Sequence, residues 1–472
     1  DPRLRAASVQ ILGELRNQDA HVEMRALLAD PVPEVRAAAL GAVCAVEQEA
    51  AVATVMPFLD IKNAPEAVVR AAAAVALIRH AGLDGVLAAA EPLKQLLAAA
   101  DPQDRAAAAD ALGNIGVRGF FRPLLAFLRD PDPSVRRRAI AAAGKLRTPE
   151  LIPALIEQFQ RRDVALEAAS ALTAFGPGIE PDLTRVLFDE RADPDSRRGI
   201  ALVLQRLGTR ESANALVLAL TAKDPSVRKA ASRGLSRLTR RQRELRIDTS
   251  KVELAVYAEL SAARVALGNL KKLSLPAAAA MQPPRTPAEL LSMALMEERD
   301  ARILQALLLL EVLLPQVRLD VVAENLRSES QAQRGNAIEV LDNALPEPWK
   351  RSVMAALDEV KRRVDTVLPD SRPHVELLAA LIGCESGQWV AACAARWSLD
   401  SSLPFAPLLP AFQHALSSSS APLREAAALA LANCDPVDAP ALLSPLAQDA
   451  ARSVSTTVRA LLQKFVPKVT PA

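Results

Sequence analysis

The chain has 472 residues, half of them apolar but only 3% aromatic, so its apolar content is mostly Ala, Leu and Val. That content excludes an intrinsically disordered chain and favours helices packed through small side chains. A near balance of 57 basic and 55 acidic residues excludes a protein that coats nucleic acid along its whole length, and four Cys without paired spacing exclude a disulfide scaffold.

A phrase recurs from the first residue onward. It reads Asp1-Pro-Arg-Leu-Arg5, Asp101-Pro-Gln-Asp-Arg105, Asp132-Pro-Ser-Val-Arg136, Asp193-Pro-Asp-Ser-Arg197 and Asp224-Pro-Ser-Val-Arg228. Weaker copies stand at Val32–Arg36 and Pro65–Arg70, and a degenerate one at Asp163–Glu167 puts Glu where the Arg belongs. The fifth positions are 5, 36, 70, 105, 136, 167, 197 and 228, separated by steps of 31, 34, 35, 31, 31, 30 and 31. Because the chain begins inside this phrase and without Met, it is expected to be a fragment or processed product of something longer.

Each phrase predicts a helix start. Asp caps the free amides of the first turn, and Pro in the next position loses no hydrogen bond. An Ala-rich run follows and often ends in Leu-Gly, as at Leu12-Gly13, Leu112-Gly113 and Leu207-Gly208, where Gly is expected to stop the helix in a left-handed conformation. A second apolar stripe comes next, such as Leu124, Leu125, Phe127 and Leu128, or Leu151, Ile152, Leu155, Ile156 and Phe159. Two helices in about 31 residues cannot bury their apolar faces alone, so neighbouring pairs must stack. The expected fold is all-α, an α-solenoid superhelix of antiparallel helix pairs.

The Asp-Pro-x-Val-Arg phrase, the Ala run and the Leu-Gly stop resemble HEAT repeats, of the short kind also seen in phycobilin-lyase-like proteins. The resemblance covers residues 1–238. It implies Asp–Arg pairing between neighbouring repeats, hence a structural role for Asp132, Arg36, Arg70, Arg105, Arg136, Arg197 and Arg228. A row of arginines binding anions is the alternative, and Glu167 interrupts the row either way.

After Arg228 the period lapses. Asp248–Leu273 reads as one or two helices without the phrase, and four prolines between Leu275 and Pro287 read as a hinge. Looser repeats resume at Arg299-Asp-Ala-Arg302, Ser330–Arg334, Glu385–Val390 and Ser420–Arg424, and a last helix is expected from about Ala450 to Phe465. The expected organisation is an N-terminal repeat block at 1–246 with about eight repeats, a helical connector and Pro-rich hinge at 247–287, and a more divergent repeat block at 288–472. The stretches Arg334–Asn343 and Trp389–Ala395 resemble the HEAT region of bacterial fusion proteins that begin with an ATP/ADP-carrier-like transporter domain and often end in a cyclic-nucleotide-binding domain.

The longest apolar stretch, Ile303–Leu314, is broken by Gln305 and Glu311 and is shorter than the ~20 residues a membrane span requires. No dinucleotide or Walker-type glycine loop is present; Gly113–Gly119 sits where a repeat turns. His21, His80, His374 and His414 fall in different repeats, and neither a His-Glu-x-x-His nor a Cys-x-x-Cys occurs. Cys44, Cys384, Cys393 and Cys434 lie in Ala-rich runs that predict buried, inert thiols. Trp389 and Trp397, eight apart, fall near one helix face, where packing is the first reading and a ligand cage the second. No catalytic residue, cofactor or metal is expected.

One charge cluster stands out. Residues 223–246 hold nine basic residues against Asp224 and Glu244. On a helix, Arg233, Arg237 and Arg240 form one exposed stripe with Leu235, Leu238 and Leu245 inward, and Arg241, Arg243 and Arg246 continue the charge. This is either a solvated face or a patch for an anionic partner: an acidic protein, an anionic membrane surface or a membrane domain. Without interleaved aromatics it does not favour nucleic acid. The expected function is a non-catalytic protein-interaction scaffold with a long surface lined by the second helix of each pair. The alternative is a cytoplasmic regulatory arm of the transporter type, at the inner membrane.

Overall fold

The Asp of each strong phrase caps a helix in the structure, which is a computed structural model. Asp1, Asp101, Asp132, Asp193 and Asp224 accept the backbone amides of Arg3, Gln103, Ser134, Asp195 and Ser226 at 2.7–2.9 Å. Described are all residues except 276–282, 329, 358–373, 386, 400–403, 435–436 and 466–472, and the described residues contain no strand. They divide into two units, Asp1–Gly234 and Leu235–Ala472.

In the N-terminal unit the first helix of each pair follows the phrase and the second returns. In chain order the helices are α1 (Pro2–Glu14), α2 (His21–Ala26), α3 (Pro33–Glu47), α4 (Val52–Val55), α5 (Ala67–His80), α6 (Gly82–Leu97), α7 (Pro102–Ile115) and α8 (Phe121–Phe127). They continue as α9 (Pro133–Leu146), α10 (Ile152–Glu157), α11 (Ala165–Ala174), α12 (Glu180–Phe188), α13 (Pro194–Leu207), α14 (Arg210–Ala219) and α15 (Pro225–Arg241), in which the division between the units falls. Each first helix from α1 to α13 packs against the next. The small residues at these contacts are fully buried: Ala39, Ala42 and Val43 in α3, Ala73 and Ala76 in α5, Ala108 and Ala111 in α7, Ala139 and Ala142 in α9. This buried seam is the continuous interior that no single pair could form.

The Leu-Gly pair terminates a helix at Gly208, which caps α13 with φ 70°. Gly13 and Gly113 do something else. Both are still inside their helices, where the next first helix comes closest, and α7 ends three residues later at Gly116 with φ 75°. A Cβ on Gly113 would stand 2.8 Å from the Cα of Ala142, and one on Gly13 would stand 2.5 Å from the Cα of Ala42. These glycines are required by helix approach rather than by backbone conformation.

By length and apolarity the stretch Pro33–Leu59 passes for a membrane span. It is broken at Gln48, whose φ is 55°, and its two halves are the first and second layers of one repeat, with Val35, Leu40, Val43 and Val55 in the core.

The C-terminal unit opens on two long helices, α16 (Thr249–Lys272) and α17 (Pro287–Leu313), packed against each other along their length. Arg299–Arg302 therefore begins no repeat: it lies mid-helix, and Arg302 turns inward to Glu298 at 2.7 Å and to the buried Glu259 at 2.9 Å. The expected hinge falls largely on residues 276–282, outside those described. Shorter helices follow: α18 (Leu319–Asn325), α19 (Gln331–Ala344), α20 (Trp349–Leu357), α21 (His374–Ala380), α22 (Gln388–Ser398), α23 (Leu409–Ala415), α24 (Ala421–Cys434), α25 (Ala439–Leu443) and α26 (Arg452–Phe465). The ends of α16 and α17 share one core with α21 to α24, around Leu291, Leu378, Ile382, Phe412 and Leu431, and a smaller cluster joins α24 to α25 and α26.

Candidate interaction surfaces

The fifth-position arginines are built into the turns between repeats. Arg36, Arg70, Arg105 and Arg136 each donate one terminal nitrogen to two carbonyls five and six residues upstream: Asp30 and Pro31, Ala64 and Pro65, Ala99 and Ala100, Asp130 and Pro131, at 2.6–3.2 Å. Arg228 does the same with Ala222 and Lys223. The remaining donors face an acid of the following repeat. Arg36 meets Glu66 at 2.7 Å, Arg70 meets Asp104 at 2.6 Å, and Arg136 meets Asp163 at 3.6 Å. Arg5 and Arg105 are bidentate on Asp30 and Asp130, at 2.8 and 3.0 Å in both cases. One guanidinium thus ties its own turn to the next one, a clasp suited to the planar Arg fork.

Arg36, Arg70 and Arg136 thus reach an acid inside the next phrase, Glu66, Asp104 and Asp163, whereas the bidentate clasps use an acid that precedes it. Asp132 is committed to capping its own helix through Ser134, and Asp130, two residues earlier, receives Arg105 while also accepting the Asp132 amide at 2.9 Å. Asp30 repeats the arrangement with Arg5 and Val32, and in the C-terminal unit Asp449 repeats it with Arg424 and Ala451. The sequence signal is an Asp three residues before the first helical position. Arg197 departs from the row: it is buried, donates Nε to the Leu187 carbonyl at 2.8 Å, and forms no ion pair among the described residues. Glu167 stands exposed in α11. The arginines of the clasps hold the carboxyls of Asp30, Asp130 and Asp449 below the usual carboxylate range.

A groove of about 610 Å³ crosses α1, α3, α5 and α7. Its floor is Ala37, Ala38, Gly41, Ala72, Val75 and Ala107. Around it stand Glu14, Arg16, Arg79, His80, Asp110 and Asn114. Burial pushes the Asp110 carboxyl up, and burial with Arg79 and Arg16 pushes His80 down. The groove lies on the first helices rather than on the second helices, where it was expected, because the Ala side chains that let first helices pack closely also leave their outer face low. Gly41 has open space where a Cβ would be.

The basic segment of α15 and the turn after it has an uneven fate. Arg233, Arg237, Arg240, Arg241, Arg243 and Arg246 are all exposed, Leu235 and Leu238 are buried, and Leu245 is half-buried. Arg240 is not available to a partner. It bonds Glu311 at 3.0 Å and Asp320 at 2.8 Å, Ser236 joins Glu311 at 2.8 Å, and Arg318 completes the cluster at 3.0 Å. Arg318, then Arg240, hold the Asp320 carboxyl down to about 2. Arg237, Arg241, Arg243 and Arg246 have no acidic partner among the described residues.

No three His, Cys, Asp or Glu side chains converge as a metal site among the described residues. Cys44 and Cys393 are buried, which pushes both thiols up to about 12; Cys434 is half-buried, and the side chain of Cys384 lies outside those described. Within α22, Trp397 packs partly into the core, whereas Trp389 is 45% exposed. His21 is held by Glu47 at 2.7 Å.

Residues 1–78 and 90–176 match the family model of HEAT repeats. No curated protein sequence matches. Among solved structures, importin beta is similar at 13% identity and a TM-score of 0.32, covering 94% of this chain and 69% of its own. A homology model of the full-length AP-3 complex scores 0.30 at 13% identity, covering 98% and 95%, and a Kap121p mutant scores 0.28 at 13% identity, covering 97% and 68%. At these scores the fold rests on the helices and their period. Over the two stretches matched by the family model, the helix pairs of this all-α solenoid are similar to HEAT repeats.

Proposed function

We propose that the protein is a non-catalytic scaffold that holds another protein in the groove over α1, α3, α5 and α7. The observation that carries this reading is a single floor of small residues shared by three consecutive repeats, with α1 at its edge and charges of both signs along its border. Small floor residues admit the side chains of a docked segment, and the charges at the border fix its direction. A groove-filling variant tests it. Gly41→Trp adds bulk into open space, so the circular dichroism spectrum and melting temperature should hold while the proteins recovered by cross-linking in cells fall at least tenfold. An unchanged set of cross-linked proteins would remove the groove as the docking site.

A second reading is a cytoplasmic regulatory arm of an ATP/ADP-carrier-like membrane protein, placed at the inner membrane. It is favoured by the resemblance carried on α19 and α22. There Asn336, Glu339, Val340 and Asn343 form an exposed face, and Trp389 is exposed. Several membrane-spanning stretches upstream of Asp1 in the same reading frame would support it, and a start codon immediately before Asp1 would remove it.

A further inference from the structure

The arginines of the clasps are committed to acids within the chain. Arg5, Arg36, Arg70, Arg105, Arg136 and Arg424 are each matched by an acid at 3.6 Å or less. Against that background Arg237, Arg241, Arg243 and Arg246 are exceptional: four exposed guanidiniums within ten residues, with Glu244 the one acid among them. The segment that carries them is held in place. Arg240 and Ser236 anchor the end of α15 to Glu311 and Asp320, and Leu235 and Leu238 are buried beneath it. A hollow of about 630 Å³ opens beside Arg240, Arg241, Gln242, Arg243, Glu244 and Leu245. Positioned charges lose less freedom on binding than charges on a floppy tail.

We propose that Arg237, Arg241, Arg243 and Arg246 form a docking surface for an acidic segment of a partner protein, a short run of Asp and Glu carboxylates. Arg237 and Arg241 lie about 6 Å apart along the helix, and the turn to Arg246 extends the patch to at most ~25 Å, the length of roughly seven extended residues. The Arg fork pairs with carboxylates in two parallel bonds, the chemistry Arg5 and Arg105 already use within the chain. The segment carries no aromatic side chain on which bases would stack. Its apolar residues Leu245 and Ile247 are half-buried, so nothing projects into a bilayer. A carboxylate-rich peptide fits better than a nucleic acid or a lipid surface. This surface uses different residues from the groove, so either proposal can fail alone.

The test is fluorescence anisotropy of the full chain with a labelled decapeptide of alternating Asp and Glu. Saturable binding is expected, weakening as salt rises from 50 to 300 mM. The variant Arg237→Glu/Arg241→Glu/Arg243→Glu/Arg246→Glu should lose at least tenfold in affinity at an unchanged circular dichroism spectrum. The corresponding Arg→Lys variant should retain part of it, and Arg118→Glu all of it. Equal binding by the charge-reversed variant would overturn the proposal. So would tighter, equally Arg-dependent binding of a single-stranded RNA 20-mer or of phosphatidylserine-containing vesicles.

Discussion

Replacing Gly113 with valine should destabilise the N-terminal unit by about 3 kcal/mol, read as a lower melting temperature and urea midpoint of the first unfolding transition. The new Cβ would stand 2.8 Å from both the Cα and the Cβ of Ala142. The nearest atom is backbone, so no rotamer change relieves the overlap, and α7 and α9 must separate along a seam that is fully buried on both sides. Gly41→Ala is the matched control. It sits mid-helix in α3 with nothing near its Cβ, so it should stabilise by roughly 0.5–1 kcal/mol through helix propensity alone. If both substitutions shift the midpoint in the same direction, close approach of the first helices is not what these glycines provide.

Removing the Asp130 carboxylate should cost about 2–4 kcal/mol. Asp130→Ala leaves Arg105 mostly buried without its acid, which is the expensive way to break a buried pair, and it also removes the acceptor for the Asp132 amide. The neighbouring Arg129 pairs with Glu157 at 3.1 Å, but both are well exposed, so Arg129→Ala should cost at most about 1 kcal/mol. The same clasps set the response to acid. The carboxyls of Asp30, Asp130 and Asp449 have folded values below their unfolded ones, so the stability they contribute is complete above about pH 4 and is lost as pH falls through the depressed values. Melting temperature should therefore be flat with respect to these groups from pH 7 to about 5 and fall below pH 4. Asp130→Asn should flatten the fall. A variant that falls as steeply as the parent would show that the clasp carries no acid sensitivity.

Much of this was legible in the residues because the repeat phrase combines three local rules. Asp caps, Pro tolerates the first turn, and Ala permits close packing, so the period of helix starts could be read directly through Arg228. The same rules misread Gly13 and Gly113 as terminators. A glycine at a helix end and a glycine facing another helix look alike until the partner, Ala42 or Ala142, is known. The clasp was misassigned for a related reason. Asp130 and Asp132 are two residues apart and chemically identical, and only the fold shows that one faces inward to its own helix and the other across to Arg105. Arg240 illustrates the long-range limit. Its partners Glu311 and Asp320 lie more than seventy residues away, beyond any spacing rule. Arg302 looked like a repeat start because a charged pair precedes an apolar run, whereas α17 simply continues through it.

The N-terminal fold requires helix pairs that are interchangeable units of one stacked interior. Its most direct test is excision of residues 105–135, which joins Asp101-Pro-Gln-Asp104 to Arg136 and restores the phrase while removing one whole unit. Compared with it is excision of residues 105–120, which removes about one helix. The first should keep the helical circular dichroism signal per residue and a cooperative melt, while the second should lose both from the N-terminal unit. If the two deletions unfold the unit equally, the repeats do not stack as independent pairs.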